Sequence, residues 1–228
     1  MQPEGRDEMA TQAGATEGTP IDPFLERVLA WTKAHKRITS WVSTVILVGA
    51  ALFVWNASST RRSEVIASRQ LQGARYAFEN QNLPLAASEL SRIIENYAGT
   101  NAAAEGRLLL AQVRLLQGQP AQAVEALRAF APGAGAAFRA QAYGLLGAAY
   151  ENLGRPREAA EAYQTGAERA RMDFLRAQML SDAGRAWAAA GDTAKAVVAY
   201  KRIVTELPKE AAVTEARVRL GELTKGTL

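Results

Sequence analysis

The chain has no cysteine, a single histidine and few aromatic residues, which make up 7% of its 228 residues. Without cysteine there can be no disulfide, thiolate zinc site, iron–sulfur cluster or cysteine nucleophile. One histidine excludes a histidine metal cluster, and a Ser-His-Asp triad would have to use His35, which lies in a basic stretch before an apolar run. We therefore predict a protein that is not an enzyme, with no catalytic residue, no cofactor and no metal.

The chain also lacks a strong excess of charge of either sign. Its 27 Lys and Arg residues nearly balance 23 Asp and Glu residues, which leaves a net charge of +4. Nucleic-acid-binding proteins concentrate basic residues on one face, so we expect no nucleic-acid partner. Alanine is abundant from residue 102 onward. Together with the few aromatics, this abundance favours closely packed helices.

One long apolar run interrupts this composition, because no charged residue occurs between Ile38 and Thr60. About 20 residues of helix span the hydrocarbon core of a bilayer, so the run predicts a transmembrane helix over 38–58. A buried core helix and a cleavable signal peptide are the alternatives. The run is longer than expected for a buried core helix. The 37 residues that precede it are more than a cleavable signal peptide normally has before its apolar region. The predicted membrane-interface anchors are Trp41, Trp55, Lys36, Arg37, Arg61 and Arg62.

The residues before the apolar run divide into two parts. Residues 1–22 are polar and small, so we predict a disordered tail. Residues 23–37 cluster apolar side chains at helical spacing, which indicates either an amphipathic juxtamembrane helix or only the first turns of the membrane helix. Long C-terminal domains are translocated largely regardless of charge. We therefore expect the N-terminus in the cytoplasm and the C-terminal domain outside it.

The rest of the chain repeats with a period of 36–37 residues. The positions that recur after 37 residues are Gly147, Tyr150, Gly154, Ala159 and Tyr163, which become Gly184, Trp187, Gly191, Ala196 and Tyr200. Each unit reads as two amphipathic helices separated by a glycine. A small residue lets the two helices approach, and an aromatic ring fills the space beside it. We interpret these aromatic residues as core residues.

This pattern resembles the tetratricopeptide repeat family. The resemblance implies an all-α solenoid of helical hairpins with three to four repeats, over residues 63–228. The expected repeats are 66–98, 104–134, 140–171 and 177–208, and a capping helix is expected at 209–225. A row of such repeats buries one continuous core.

In this family the first helix of each repeat lines a concave surface that binds proteins. The resemblance thus implies a candidate protein-binding groove formed by Leu71, Arg75, Phe78, Leu108, Gln112, Leu115, Leu116, Glu151, Asn152, Gln178 and Arg185. The leucines make its first half apolar, which suits a protein segment. Alternatively, Leu108 and Leu115 simply pack against the next repeat.

The order of parts over residues 23–228 is similar to that of the ancillary Sec-translocon subunit family of bacterial inner membranes. That resemblance implies a single-pass inner-membrane protein with a periplasmic repeat domain. It would be an adaptor or scaffold that contacts the bilayer and other proteins, namely translocon or chaperone components, and that assists protein export or envelope assembly. The alternative is a constitutive structural subunit that stabilises a large inner-membrane complex.

Overall fold

The computed structural model describes Trp31 and residues 36–225, without the side chains of residues 36–39, 42–43 and 56–57. The predicted tail, residues 1–22, lies outside the described residues. So does the predicted juxtamembrane helix, residues 23–37, apart from Trp31 and the backbone of its last two residues. The side chains of the expected anchors Lys36 and Arg37 also lie outside the description.

The described residues form helices, turns and bends, with no strand among them. The α-helices are α1 (Lys36–Glu79), α2 (Leu83–Asn96), α3 (Asn101–Leu116), α4 (Pro120–Phe130), α5 (Arg139–Asn152), α6 (Pro156–Arg169), α7 (Asp173–Ala189), α8 (Thr193–Glu206) and α9 (Ala212–Thr224). A 3₁₀ turn, Ala131–Gly133, follows α4.

The chain divides into two units, Met1–Asn56 and Ala57–Leu228, and α1 contributes residues to both. In the first unit the described apolar side chains of α1 are exposed, and Trp41 and Phe53 each keep 74% of their surface accessible. Over the stretch that the structure describes, no helix combines the length and apolar character needed to cross a bilayer.

The second unit is a row of helical hairpins. Each helix from α2 onward packs against the next, and contacts also join α3 to α5 and α7 to α9. The connections between helices are short, so successive helices run antiparallel. The helix pairs are α1–α2, α3–α4, α5–α6 and α7–α8, with α9 packed on the last pair. The predicted all-α solenoid is confirmed.

The same backbone turn ends the first helix of every hairpin. Gly118, Gly154 and Gly191 have positive φ angles of 67–78°, the left-handed conformation in which a helix commonly terminates. In the first hairpin this position is Gln81, with a φ of 59°. The amide after each of these four residues donates to a carbonyl five residues earlier, for example from Arg155 to Tyr150 at 2.9 Å.

The second helix of a hairpin begins at a proline or a polar cap. Pro120 and Pro156 start α4 and α6, where a missing amide hydrogen does no harm. The Asn82 and Asp192 side chains accept hydrogen bonds from the amides of Leu85 and Lys195 and so cap α2 and α8. In the three hairpins whose turn contains glycine, residues local in the sequence therefore specify both sides of the turn.

Two clusters of buried residues fill the row. The first core is built from α1, α2 and α3 and runs from Ala67 to Val113. The second core runs from Leu108 to Leu220 and contains Tyr150 and Trp187, which confirms the interpretation of these aromatics as core residues. Helix α3 contributes to both clusters.

Glycines at the helix contacts make room for tyrosine rings, as the repeat pattern predicted. A Cβ placed on Gly147 would lie 2.7 Å from the Tyr163 ring, and one on Gly184 would lie 2.7 Å from the Tyr200 ring. Carbon atoms in contact are normally 3.5–4.0 Å apart, so only glycine fits at these two sites.

Candidate functional site

The second unit carries a groove of about 440 Å³. Its walls are the first helices of the hairpins, with one residue from α6. The lining residues are Arg75, Glu105, Leu108, Leu109, Gln112, Gln141, Gly144, Leu145, Ala148, Tyr163, Leu175, Gln178, Met179 and Asp182. These helices lie side by side because each hairpin stacks on the next.

The middle of the groove is uncharged. Gln112, Gln141 and Gln178 come from three successive first helices and expose their amides. Beside them, Gly144 is buried against Met179, whose sulfur would lie 3.0 Å from a Cβ at that position. A glutamine amide offers two donor hydrogens and an acceptor oxygen. The middle of the groove therefore presents hydrogen-bonding groups above a floor of small and apolar side chains.

An ion pair borders the groove on the side of the first hairpin. Arg75 of α1 donates to the Glu105 carboxylate of α3, and both side chains are partly exposed. The pair connects the first helices of two neighbouring hairpins across the mouth of the groove. It leaves no net charge at this end.

The other end of the groove carries a connected cluster centred on Arg185. Its guanidinium donates to Glu151 at 2.5 Å and to Asp182 at 3.0 Å. The Tyr163 hydroxyl donates to the second oxygen of Glu151 at 2.9 Å. The cluster joins α5, α6 and α7, so it ties two hairpins together where they form the groove wall.

Burial and hydrogen bonding shift the ionisation of this cluster. Burial raises the pKa of Asp182 above its ordinary value, and the nearby Arg185 offsets only part of that effect. Burial, together with the hydrogen bond to Glu151, raises the pKa of the Tyr163 hydroxyl. The hydrogen bond to Glu151 is the main cause that raises the pKa of Arg185. The tyrosine and the arginine therefore stay protonated at neutral pH.

A second cavity of about 330 Å³ continues the groove towards α9 and shares Gln178 and Asp182 with it. The carboxylates of Glu210 and Glu215 line this cavity, and Phe174 exposes its ring there. Arg185 also lines the cavity but is paired with Asp182, and Glu215 is paired with Arg219. Glu210 forms no ion pair within the described chain, and its carboxylate makes this end of the surface acidic.

The structure places only part of the predicted site in the groove. Arg75, Leu108, Gln112 and Gln178 line it, and Glu151 and Arg185 belong to the cluster at its end. The remaining predicted residues lie elsewhere.

Four of these remaining residues are apolar. Leu71 is buried in the first core, and Phe78 packs against the same core. Leu115 packs partly buried against the second core, and Leu116 is 64% exposed outside the groove. The side chain of Asn152 donates to the carbonyl of Ala148 at 2.8 Å.

The sequence reasoning missed several lining residues. They are Leu109, Leu145, Tyr163, Leu175, Met179 and Asp182. Asp182 lies within α7 and pairs with Arg185. Its spacing from Arg185, three residues along one helix, was the signal that could have revealed it.

The groove holds ion pairs and amides rather than reactive groups. Among the described residues, no group of three His, Asp or Glu side chains is placed to hold a metal ion. The charged side chains are held in ion pairs with one another. The exposed amides of Gln112, Gln141 and Gln178 can form hydrogen bonds to a ligand. Such a surface is suited to recognition of another molecule.

Solved structures show the same fold at low sequence identity. The crystal structure of MamA is 20% identical and matches with a TM-score of 0.54 over 67% of this chain and 83% of its own. A kinesin-light-chain-like protein of Podosopora anserina with nearly identical TPR-like repeats is 20% identical. It matches with a TM-score of 0.56 over 70% of this chain and 85% of its own.

A tetratricopeptide repeat protein from Parabacteroides merdae is 12% identical and matches with a TM-score of 0.56 over 70% of this chain and 60% of its own. The search of curated proteins found no match. The family model for the tetratricopeptide repeat-like domain matches residues 58–181, more than half of the chain. Its helical hairpins, turn glycines and groove have the form that this match implies, and the chain belongs to the tetratricopeptide repeat-like domain family.

Proposed function

We propose that this protein is a membrane-tethered scaffold that holds an extended segment of a partner protein in its groove. Domains of this family are protein-interaction modules and are typically not enzymes. The observation that supports the groove as the binding surface is its row of exposed amides, Gln112, Gln141 and Gln178, above a floor that includes Gly144.

The amide row suits a polypeptide backbone. An extended backbone offers amide hydrogens and carbonyl oxygens at regular intervals, and a glutamine side chain pairs with either. Small residues in the floor, Gly144 and Ala148, let a backbone approach closely. Recognition of this kind depends little on the side chains of the segment, so the groove would accept related segments.

The acidic end adds a preference for charge. Glu210 and Glu215 line the cavity beyond the Arg185 cluster, and Phe174 exposes an aromatic ring there. A lysine or arginine of the bound segment would complement these carboxylates, and its aliphatic part would pack on the ring. We therefore propose a segment with a basic residue at this end.

The proposed tether is the apolar part of α1. Its described large side chains are exposed from Trp41 to Trp55, and no charged residue occurs between Ile38 and Thr60. Burying one large apolar side chain gains about 1.5–3 kcal/mol. A stretch of this kind is stabilised by an apolar surrounding, and tethering raises the effective concentration of the groove for partners at the same membrane.

The proposed location is the inner membrane of a bacterium, with the N-terminus in the cytoplasm and the repeat domain in the periplasm. Its support is the resemblance in order of parts to ancillary Sec-translocon subunits, which also suggests a role in protein export or envelope assembly. Because the native chain has no cysteine, single cysteines at Ala10 and at Lys225 report topology cleanly. A membrane-impermeant thiol reagent applied to spheroplasts should label only the second. Labelling of Ala10→Cys alone would reverse the proposed topology.

Photo-crosslinking in living cells tests the groove. A photoreactive amino acid at Gln141 should capture a defined partner, which mass spectrometry then identifies. Gln164, an exposed glutamine of α6 outside the groove, is the matched control position. The additional variant Gln178→Arg places a long cationic side chain in the groove and should abolish the Gln141 crosslink.

Two crosslinking results would contradict the groove proposal. They are equal capture at Gln141 and Gln164, and capture that survives Gln178→Arg.

A version lacking residues 1–60 distinguishes the tethered adaptor from a constitutive structural subunit. An adaptor should retain some partner without the tether. A structural subunit should purify at fixed stoichiometry and lose its complex entirely.

A further inference from the structure

The second half of α1 presents a surface that is separate from the groove. We name it the outer stripe, which consists of Arg61, Arg62, Val65, Ile66, Arg69, Gln72, Gly73 and Tyr76. At about 100° per residue, these positions fall within an arc of about 140°. The opposite side of the helix is packed into the first core by Ala67, Leu71 and Ala74. The outer stripe is exposed, so α1 has two faces of different character.

The charge of the outer stripe is of one sign. Arg61, Arg62 and Arg69 are exposed, and none of them forms an ion pair within the described chain. The stripe itself contains no carboxylate. Glu64 lies on the packed side, where it accepts hydrogen bonds from the backbone of α3, and the carboxylate of Glu89 lies beside Gly73 at the stripe. The three guanidinium groups therefore have no carboxylate partner among the described residues, and two of them, on Arg61 and Arg62, are also predicted to lie at the membrane interface.

Apolar side chains lie between these arginines. Val65 is 54% exposed and Tyr76 is 70% exposed, and Ile66 is also exposed. Solenoids need terminal helices with a polar outer face, since the outermost repeat otherwise exposes the surface on which a neighbour would stack. The far end of this solenoid is closed by α9. The outer stripe is the corresponding surface at the first hairpin, and it is apolar as well as basic.

A notch at Gly73 gives the stripe a shape. A cavity of about 230 Å³ lies between Gly73, Gln70, Glu89, Arg92 and Ile93. A Cβ on Gly73 would still be 3.6 Å from the nearest atom, Glu89 Oε2, so packing inside the protein does not require glycine here. That oxygen is buried and accepts no hydrogen bond from the described residues. The notch could therefore receive a side chain from an adjoining helix.

We infer that the outer stripe docks an acidic amphipathic helix of a partner protein. Its carboxylates would pair with Arg61, Arg62 and Arg69, and its apolar side chains would cover Val65, Ile66 and Tyr76. A second copy of the same stripe is excluded as the occupant by repulsion between like charges. The stripe and the groove share no residue. The failure of one binding proposal would therefore not decide the other.

Binding of a designed peptide tests this inference on the full-length protein in neutral detergent. The probe is a single-helix peptide with leucines three and four residues apart and flanking glutamates, and its counterpart has lysines in place of the glutamates. Fluorescence anisotropy should show saturable binding of the glutamate peptide that weakens with salt, and no binding of the lysine peptide. The triple variant R61E/R62E/R69E should weaken the affinity about tenfold, which corresponds to about 1.4 kcal/mol.

The control is a triple variant with the same change of charge elsewhere. R128E/K201E/R217E alters exposed residues of α4, α8 and α9 and should change the affinity by less than about twofold. G73L, which fills the notch, should also weaken binding while the melting temperature stays near that of the parent. Equal binding of both peptides, equal effects of the two triple variants, or binding only to vesicles that contain phosphatidylglycerol would overturn the inference.

Discussion

The ring of Tyr163 lies directly on the backbone of Gly147, at a distance that leaves no space for a Cβ atom. The next hairpin repeats the relationship with Tyr200 and Gly184. Each ring is buried in the second core, where it fixes the separation between the two helices of its hairpin.

Replacing Gly147 with alanine should therefore destabilise the protein, although alanine favours helix. The tyrosine ring must shift inside a packed core, and such overpacking costs about 1–3 kcal/mol. Urea denaturation followed by tryptophan fluorescence measures the change. Gly221→Ala is the matched control, because Gly221 is an exposed glycine within α9 with nothing near its Cβ position, and it should stabilise by about 0.5–1 kcal/mol. Loss of stability in both variants would mean that the tyrosine contact is not the cause.

The turn at Gln81 should be improved by glycine. Gln81 adopts the left-handed conformation that Gly118, Gly154 and Gly191 adopt in the other hairpins. The left-handed conformation costs a residue with a Cβ about 1–2 kcal/mol. Glycine avoids this cost, but its greater entropy in the unfolded chain offsets part of the resulting stabilisation. We expect Gln81→Gly to raise the unfolding free energy by about 0.5 kcal/mol. The reverse change, Gly154→Gln, should lower it by about 1 kcal/mol. If both substitutions shift stability in the same direction, this explanation fails.

Glu64 of α1 should stabilise the first turn of α3, although 37 residues separate it from Asn101 in the sequence. Its two carboxylate oxygens accept hydrogen bonds from the amides of Asn101 at 2.8 Å and Ala102 at 3.0 Å. A carboxylate at a helix N-terminus and its capping bonds contribute about 1 kcal/mol. Glu64→Ala should therefore accelerate hydrogen exchange in the first turn of α3. Glu95→Ala, an exposed glutamate of α2, should leave that exchange unchanged. Unaltered exchange in both variants would contradict this role.

The pH dependence of the unfolding free energy should reveal the raised pKa of Asp182. Burial raises its pKa, so the folded protein holds this proton more tightly than the unfolded chain does. Its contribution to stability therefore falls as pH rises above the ordinary value of 3.8, and levels off above the folded pKa. Relative to the wild type, Asp182→Asn should gain stability over that interval.

Asp192 provides a comparison of opposite sign. The hydrogen bond from the Lys195 amide lowers the pKa of Asp192, so its contribution is present above 3.8 and is lost as pH falls through the folded pKa. In unfolding experiments, the stability of Asp182→Asn relative to the wild type should rise with pH above 3.8, whereas that of Asp192→Asn should fall with increasing pH below 3.8. Parallel slopes would contradict the assigned causes.

The sequence predicts the hairpins well because their determinants are local. Glycine at 118, 154 and 191 and proline at 120 and 156 specify a turn and a helix start without reference to the rest of the chain. Gln81 was harder to recognise as the same turn, because its residue type gives no sign of a left-handed conformation. Only the period of 36–37 residues points to it.

The groove could be predicted only in part. The resemblance to the tetratricopeptide repeat family placed Gln112 and Gln178 among the lining residues. It does not distinguish a residue at the rim from one beneath it, so Leu71 was included although the first core buries it. Tyr163 was recognised as a core residue, but its hydroxyl reaches Glu151 in the groove wall, and this contact depends on how the helices stack.

Helix α3 belongs to both cores, with Leu110 and Val113 in the first and Leu108 and Ala111 in the second. The first hairpin can therefore be pulled away while the second core keeps its own contacts. Under a mechanical load applied through α1, we expect the domain to lengthen stepwise and reversibly, with the first hairpin released before the rest. Single-molecule stretching in which the whole domain ruptures in one event would contradict this expectation. A domain that yields in this way would act as an extensible link between the chain that precedes it and whatever it holds.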